Sequence, residues 1–541
     1  MTKSLFFTAC TGIALGLSWP AGDQVWLLFV GFVPLLWIVE RWGEVPRKYN
    51  GLLIFVSAYL TFFSWNTIAI WWLHYVQYRD GSYVWEAYLL TVVCNALFMA
   101  ILFRWYAWVK KRLGTGLGQL FLLCVWISFE KLHLEWEFTW PWLNLGNGLA
   151  NHPQWIQWYE YTGSLGGSLW IWIINLGFFN LLKQYQKTQD WAHLYKNLIL
   201  NTSVILLPIL FSYLIYANYK EKGSSFEFVI VQPNVDPYTA KYSTPPEILT
   251  QQLIDLTERS ITNTTDFVLA PETALPGKGA ILLQGLEEDS NVLMIKNHMK
   301  KYPQSVFIVG LELFSIYLTK ESASKTASLV PGGQFWVDVF NSAVQIDTTD
   351  TFQRYHKSKL VPGVEIFPYK KILMPLFGNF LFDLGGTIIG RTPQDKPSIL
   401  THPDTKIKIA PVICYESIFG EYISQFIQQG AQFICILTND GWWGTSDGHK
   451  QHLAYARLRA IENRKSIARA ANTGVSAFIN QRGDIIASLP YGKEGALKQS
   501  IRANNEKTFY TLYGDVVARV ALLFSGVLFA YALAHQFMVK R

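Results

Sequence analysis

The stretch Ile409-Ala410-Pro411-Val412-Ile413-Cys414-Tyr415-Glu416-Ser417 carries the reading of the fold. Its first five residues are apolar and rich in β-branched side chains, which reads as a buried strand. A cysteine ends the run, and a helix is expected soon after it. A strand–turn–helix junction exposes the residue at the turn, and a helix N-terminus favours a thiolate there. Taken alone, Cys414 is equally well a buried structural cysteine. Runs of the same kind recur around it: Phe226–Val231, Phe267–Ala270, Val306–Val309 and Phe433–Thr438, with Ile407–Ile413 containing the quoted stretch. Polar helical stretches at 245–263 and 450–469 separate several of them. Strands alternating with helices imply an α/β domain around a largely buried sheet. Val475–Asn480 and Asp484–Leu489 flank Gln481-Arg482-Gly483, a hairpin signal. No internal repeat is evident.

Two further segments put a reactive side chain at the end of a strand. In Val268-Leu269-Ala270-Pro271-Glu272-Thr273 the carboxylate follows a buried strand and a proline. A partly desolvated glutamate there suits a general base, although alone it reads better as a capping or surface residue. In Tyr355-His356-Lys357-Ser358-Lys359-Leu360-Val361-Pro362-Gly363-Val364-Glu365 a fixed Lys357 ammonium could hold an oxyanion. Alone, Lys357 reads as a solvated lysine. Glu365 could support it, shuttle a proton, or simply pair with a nearby cation. The five cysteines include no CxxC spacing, which argues against a disulfide framework or a zinc site. Cys435 lies inside an apolar run and is assigned to the core, and Cys10, Cys94 and Cys124 to packing.

N-terminal to this region the chemistry changes. Residues 1–217 hold only 23 of the 85 charged residues but 19 of the 22 tryptophans. Apolar runs long enough to cross a bilayer fall at about 4–20, 25–41, 51–74, 84–109, 116–134, 164–182 and 197–216, with another at 516–538. About eight spans put both termini on one side. Lys3, Arg41, Arg47, Lys48, Lys110, Lys111, Arg112, Lys183, Lys187, Lys196, Lys540 and Arg541 mark alternate connections as cytoplasmic. The expectation is a membrane domain over 1–217, an extracytoplasmic domain over 218–515, and a last helix with a cytoplasmic tail over 516–541. The net charge of +7 is then a topology label, and nucleic-acid binding is excluded for want of a basic stripe or motif. Several tryptophans, in loops such as 136–158, suit the outer membrane interface.

Together, and in the order Glu272, Lys357, Cys414, the three segments resemble the catalytic triad of the nitrilase superfamily. Gln232-Pro233-Asn234, Phe340-Asn341-Ser342, Thr438-Asn439-Asp440-Gly441-Trp442-Trp443-Gly444 and Ala470-Ala471-Asn472-Thr473-Gly474 support the match. A nitrilase-like domain between seven N-terminal spans and one C-terminal span is similar to the bacterial apolipoprotein N-acyltransferases. The Leu-Val-Pro segment before Glu365, the Pro141-Trp142 unit and the Thr511–Asp515 stretch add to that likeness. The chain departs from the family at Pro362-Gly363-Val364-Glu365, where Pro-Phe-Gly-Glu is usual, and at Thr139-Trp140-Pro141-Trp142, where Gly-Phe-Pro-Trp is usual. Tyr242 stands where a tryptophan is often found.

The resemblance implies an αββα sandwich attached to a polytopic membrane domain. It implies transfer of an acyl chain from a phospholipid, phosphatidylethanolamine foremost, to the N-terminal α-amine of a diacylated apolipoprotein, through a thioester on Cys414. Glu272 would be the base and Lys357 the oxyanion holder. Glu365, Tyr415 and Glu416 would support the site, and Asn341, Asn439, Trp442 and Tyr242 would line the pocket. No metal or cofactor is implied; a monomer in the bacterial inner membrane, with its catalytic domain on the periplasmic side, is. The apolar Ile372–Phe382 run is expected to form a lipid-touching lid, or else an internal packing segment. A membrane-tethered amidase using the same triad and water is the competing enzyme, and a scaffold or transporter with a degenerate nitrilase domain the non-enzymatic alternative.

Overall fold

The computed structural model describes residues 2–44, 49–78, 80–275, 280–330, 332–373 and 390–538. Of the apolar Ile372–Phe382 run, all but Ile372 and Leu373 lie outside the described residues. The chain divides into two compact units. One comprises 1–73, 86–219 and 513–541, and the other 74–85 and 220–512.

The first unit is helical. Val25–Gly43, Asn50–Ala69, Trp85–Leu132, Ser164–Thr188, Trp191–Asn218 and Val516–Gln536 are apolar and long enough to cross a membrane, and Phe6–Leu17 is a shorter apolar helix. This is the build of a multi-pass membrane protein. The 48 residues of Trp85–Leu132 do not form one rod, because Gly114 leaves the helical region (φ 84°, ψ 175°). A straight helix would hold Phe103 and Trp126 roughly 35 Å apart at about 1.5 Å per residue, whereas their ring centroids lie 6.2 Å apart. The segment is therefore an antiparallel hairpin, in keeping with separate runs at 84–109 and 116–134. Two expected runs are shorter as α-helix than their apolar length suggested. Val25–Phe29 is a 3₁₀ turn and the α-helix begins at Val33. The helix from Asn50 ends at Ala69, ahead of a second 3₁₀ turn at Trp71–Tyr75. The tryptophan surplus has an internal use here: Trp65, Trp126 and Trp172 are all buried around Phe32.

In the second unit the strands are β1 (Ser224–Gln232), β2 (Phe267–Leu269), β3 (Ile281–Leu282), β4 (Val306–Tyr317), β5 (Ser328–Leu329), β6 (Trp336–Ile346), β7 (Arg354–His356), β8 (Leu400–Thr401), β9 (Lys408–Ile413), β10 (Phe433–Thr438), β11 (Ser466–Ala471), β12 (Ser476–Ile479), β13 (Ile485–Leu489) and β14 (Gly495–Ala503). One sheet runs β14-β1-β2-β4-β6-β5, with β3 on β4 and β7 on β6; the other runs β13-β12-β11-β10-β9-β8. β1-β2-β4 and β9-β10-β11 are parallel, as buried central strands joined by helices should be.

Alternate residues of each strand face opposite sides. Val229, Val268 and Phe307 pack with Leu253, Leu256, Val292 and Ile295 of the helices Pro246–Glu258 and Ser290–Met299. Phe228 and Phe267 meet Phe433 of the other sheet at ring distances of 5.0 and 6.4 Å. Helices Gly420–Gln428 and Gly448–Asn463 accompany the second sheet, completing the αββα order. The expected helix over 450–469 overran. It stops at Asn463, Arg464 turns left-handed (φ 49°), and Ser466–Ala471 becomes the strand paired in parallel with β10. An alanine-rich run reads as helix locally, and burial between two strands overrides it.

Candidate active site

The ends of β2, β7 and β9 converge beside the middle of β6. β2 delivers Pro271-Glu272, and β4 approaches it through Gly310, whose N–H donates to the Pro271 carbonyl at 3.1 Å. β7 pairs with β6, and the Lys357 N–H continues that ladder by donating to the Asn341 carbonyl at 2.8 Å. Lys357, only 1% exposed, therefore projects beside Asn341 and toward Glu272. Its Nζ lies 3.3 Å from Glu272 Oε1 and 3.0 Å from Glu365 Oε1. Asn341 Nδ2 donates to the same two oxygens at 2.7 and 3.2 Å. Its Oδ1 is buried and has no hydrogen-bond partner among the described residues.

Glu365 reaches this cluster from a tight loop in which the Val361 N–H donates to its Oε2 at 2.9 Å. Gly363 there has φ 79°, a backbone that glycine adopts without cost. The Gly363-Val364 departure from the family pattern thus still brings Glu365 onto Lys357.

Cys414 ends β9 as expected, but in the left-handed region (φ 49°), and a 3₁₀ turn over Cys414–Ile418 follows it, with the α-helix waiting until Gly420. The thiol is 8% exposed. Burial and the Glu272 charge push it above the ordinary 9.0, against the pull of Lys357 and of a hydrogen bond with Thr438. Burial alone would discharge Lys357, but Glu365, Glu272 and Cys414 outweigh it and hold the ammonium above its usual range. The resting site is thus a protonated thiol next to an ammonium gripped by two carboxylates. Glu416 ties the nucleophile turn to the lysine strand. Its Oε2 accepts from the Ile413 N–H at 2.9 Å, and its Oε1 from the Ser358 N–H at 2.7 Å and the Tyr355 hydroxyl at 2.5 Å. Burial pushes its carboxyl up to about 7 against those donors and Lys357.

A small cavity of ≈ 20 Å³ adjoins Glu272, with Lys241, Thr273, Asn439 and Asn472 in its wall. Asn439 lies in that wall, and its Oδ1 accepts from the Asn472 side chain at 3.2 Å. Trp442 packs edge-on against Tyr238 (5.2 Å), whose hydroxyl donates to the Trp442 carbonyl at 2.8 Å and accepts from the Gln77 N–H at 3.0 Å. Tyr415 is buried edge-on against Phe419 at 5.2 Å. Tyr242 is 53% exposed and outside the cavity wall. Its neighbour Lys241 is the buried one, donating to Thr273 Oγ1 at 2.5 Å. Among the described residues no group of three or more His, Cys, Asp or Glu is placed to hold a metal.

Residues 230–508, which contain every member of this cluster, match the family model for the carbon-nitrogen hydrolases. The chain belongs to the carbon-nitrogen hydrolase family. Ahead of that region, residues 11–177 match the apolipoprotein N-acyltransferase N-terminal domain. An apolipoprotein N-acyltransferase of Chlorobaculum tepidum is 28% identical over 98% of this chain and 96% of its own length. One from Pasteurella multocida is 28% identical over 85% and 83%, and one from Thermotoga maritima 25% identical over 95% and 90%.

Three features of this carbon-nitrogen hydrolase escape a reading of the sequence. Lys241 precedes Tyr242 in a polar stretch that offers no strand signal, so only the short helix Ala240–Ser243 turns it inward. Gly310 sits inside an apolar run, where a glycine reads as a weak point. Asp440, His452 and Arg469 come from a loop, a helix and a strand and have no common spacing.

Proposed function

We propose that this membrane-bound carbon-nitrogen hydrolase is an apolipoprotein N-acyltransferase. It takes an acyl chain from a phospholipid, with phosphatidylethanolamine as donor, and passes it to the N-terminal α-amine of a diacylated apolipoprotein. The carrying observation is the Lys357 ammonium held between Glu272 and Glu365 beside the Cys414 thiol, in a chain that relatives of that name match along almost its whole length.

Glu272 takes the Cys414 proton as sulfur attacks the ester carbonyl. Lys357 and a backbone N–H stabilise the tetrahedral oxyanion. The lysophospholipid leaves with the proton returned by Glu272, and a thioester remains on Cys414. The acceptor amine then attacks, Glu272 takes its proton, and collapse expels the cysteine, which is reprotonated. Asn341 Oδ1, an acceptor that no donor among the described residues reaches, suits an N–H of the incoming amine. Asn439 and Trp442 line the acyl path, while Glu365, Tyr415 and Glu416 hold the catalytic groups in place. Two half-reactions through one acyl-enzyme make the kinetics ping-pong.

The alternation of positive charge along the loops supports eight spans with both termini cytoplasmic, and on this reading the protein is a monomer in the bacterial inner membrane. On this topology 1–217 and 516–541 form the membrane part, and 218–515 the catalytic domain on the periplasmic side. A membrane site suits the substrates, since exposing an acyl chain to water costs about 0.8 kcal/mol per CH₂.

The test is intact mass after incubation with phosphatidylethanolamine alone. An acyl adduct on the wild type, released by thiol treatment and absent as a thioester from Cys414→Ser, is expected. Adding a diacylated lipopeptide should discharge it with amide formation. No adduct on any thiol under conditions where the lipopeptide is acylated would overturn the thioester route. Hydrolysis of small amides without transfer would make the protein an amidase.

A further inference from the structure

Behind the nucleophile lies a second buried polar network. Asp440, His452 and Arg469 are all 0–1% exposed. Arg469 donates to Asp440 Oδ2 at 2.7 Å. Asp440 Oδ1, which can only accept, lies 2.9 Å from His452 Nδ1, so that ring nitrogen carries the proton between them. The other face of the ring points at Cys414. Its Nε2 lies 3.3 Å from the Cys414 carbonyl and 2.8 Å from the Ser417 hydroxyl; because that hydroxyl spends its proton on the carbonyl at 2.8 Å, Nε2 must donate as well, and the arrangement takes His452 with protons on both ring nitrogens. Asp440 Oδ1 also accepts from the Thr438 hydroxyl at 3.0 Å, and Thr438 hydrogen-bonds the Cys414 thiol. One carboxylate thus anchors a group at the sulfur and a group at the carbonyl of the same residue. Burial alone would raise the Asp440 carboxyl, but Arg469 and His452 outweigh it and hold it far below the usual carboxylate range.

We propose that Asp440 and His452 are positioning residues for the nucleophile: through Ser417 and Thr438 they clamp the carbonyl and the thiol of Cys414 and hold its left-handed turn. A non-glycine residue at φ 49° is in a sparsely populated, strained region and persists there only where the surroundings over-determine it. The Ser417 and His452 contacts to the carbonyl supply that determination. Fixing the carbonyl also fixes the peptide plane that follows, and hence where the Tyr415 N–H points. That N–H is the amide immediately after the nucleophile, inside the 3₁₀ turn Cys414–Ile418. The clamp acts on attack by sulfur and not on donor affinity, because its contacts end on the carbonyl and the thiol of Cys414 itself.

The assignment rests on Cys414 being the acylated residue, so the experiment first establishes the thioester on wild type by intact mass. Its absence there sinks the acyl-enzyme reading and not the clamp. Single-turnover acylation is then compared for wild type, His452→Leu, His452→Gln and Asp440→Asn. Glutamine carries an amide nitrogen near the position of Nε2 and can donate to the carbonyl; leucine cannot. His452→Leu and Asp440→Asn should slow acylation about 10²-fold, the scale of a misplaced reacting group, with the donor KM within about twofold of wild type. His452→Gln should recover at least about tenfold of that loss, and the Asp440→Asn/His452→Leu double variant should be no slower than the slower single one. Acylation at the wild-type rate in His452→Leu, a change confined to KM, no rescue by glutamine, or multiplying losses in the double variant would each overturn the clamp. If leucine prevents folding, Asp440→Asn, which keeps the side-chain shape, decides by the same rate-against-KM criterion.

Discussion

A methyl group on Gly310 would stand 2.6 Å from the Glu272 Cα and equally close to the Pro271 oxygen and the Thr273 nitrogen. All three are backbone atoms, so none can swing aside as a side-chain end could. β4 therefore sets the height at which the Pro271-Glu272 turn sits over the sheet. Gly310→Ala should push that turn away and lift the Glu272 carboxylate from Lys357 and Asn341. The expected loss in single-turnover acylation is about 10²-fold, with overpacking costing about 1–3 kcal/mol in stability. Thermal unfolding and acylation rate measured on one preparation check both. An alanine variant with wild-type acylation would mean the turn is not rigidly seated.

Lys357 has no water to turn to, and two carboxylates compensate its charge at 3.0 and 3.3 Å. Removing one partner of a buried ion pair leaves an uncompensated charge and costs about 3–5 kcal/mol. Glu365→Ala should accordingly destabilise strongly. Glu365→Gln keeps an oxygen for the ammonium and should fall in between. Both should lose acylation, because Lys357 then leans wholly on Glu272 and engages the base. Adding Lys357→Met to Glu365→Ala should restore part of the stability and none of the activity. Thermal unfolding of the four proteins gives the ordering.

How much of this was legible in the sequence differs residue by residue. Glu272 and Cys414 each follow an apolar strand, and strand ends are where a buried sheet presents side chains to a cleft. Periodicity alone thus reaches their neighbourhood. Lys357 follows the polar strand Arg354–His356 and Asn341 lies mid-strand on β6 in register with Glu312 of β4, so for these two the family resemblance supplied what periodicity could not. Tyr242 was matched by alignment; its side chain is half-exposed, and the buried side chain at this point is that of Lys241. The Asp440–His452–Arg469 network was out of reach. Its members meet only because β10 and β11 are paired, with Ile436 opposite Arg469, while helix Gly448–Asn463 brings His452 to the same spot. The overrun of the 450–469 helix has the same origin: a strand buried on both faces and paired on both edges shows no alternation to betray it.

The Cys414 thiol is held above its ordinary 9.0 by burial and Glu272, so at neutral pH it is protonated at rest. Its alkylation by a small iodoacetamide should keep climbing with pH beyond 9.0 and not level off near neutrality. Glu272→Gln removes a negative neighbour, favours the thiolate, and should move the thiolate absorbance to lower pH while abolishing transfer. Lys357→Met removes a positive neighbour and should move it to higher pH. A wild-type thiolate already formed at neutral pH would mean that Cys414 needs no base.

Lys241 lets stability and activity be separated. Burial lowers its ammonium below the usual 10.5, only partly offset by Glu312 and Glu272 and opposed also by Arg391. A lysine whose folded affinity for its proton is depressed favours the fold above 10.5, and that contribution is lost as pH falls toward the lowered folded value. The native state therefore holds this charge less easily than the unfolded chain does. Lys241→Met should be more stable than wild type at neutral pH, with the difference shrinking as pH rises toward 10.5. Activity should move the other way. Methionine cannot donate to Thr273, which sits at φ 48° directly after Glu272, and it takes a positive charge from the cavity wall that Glu272 shares. The acylation rate should drop. A variant that loses stability and activity together would make Lys241 a packing residue; one that gains stability while its acylation slows would make it a functional partner of the base.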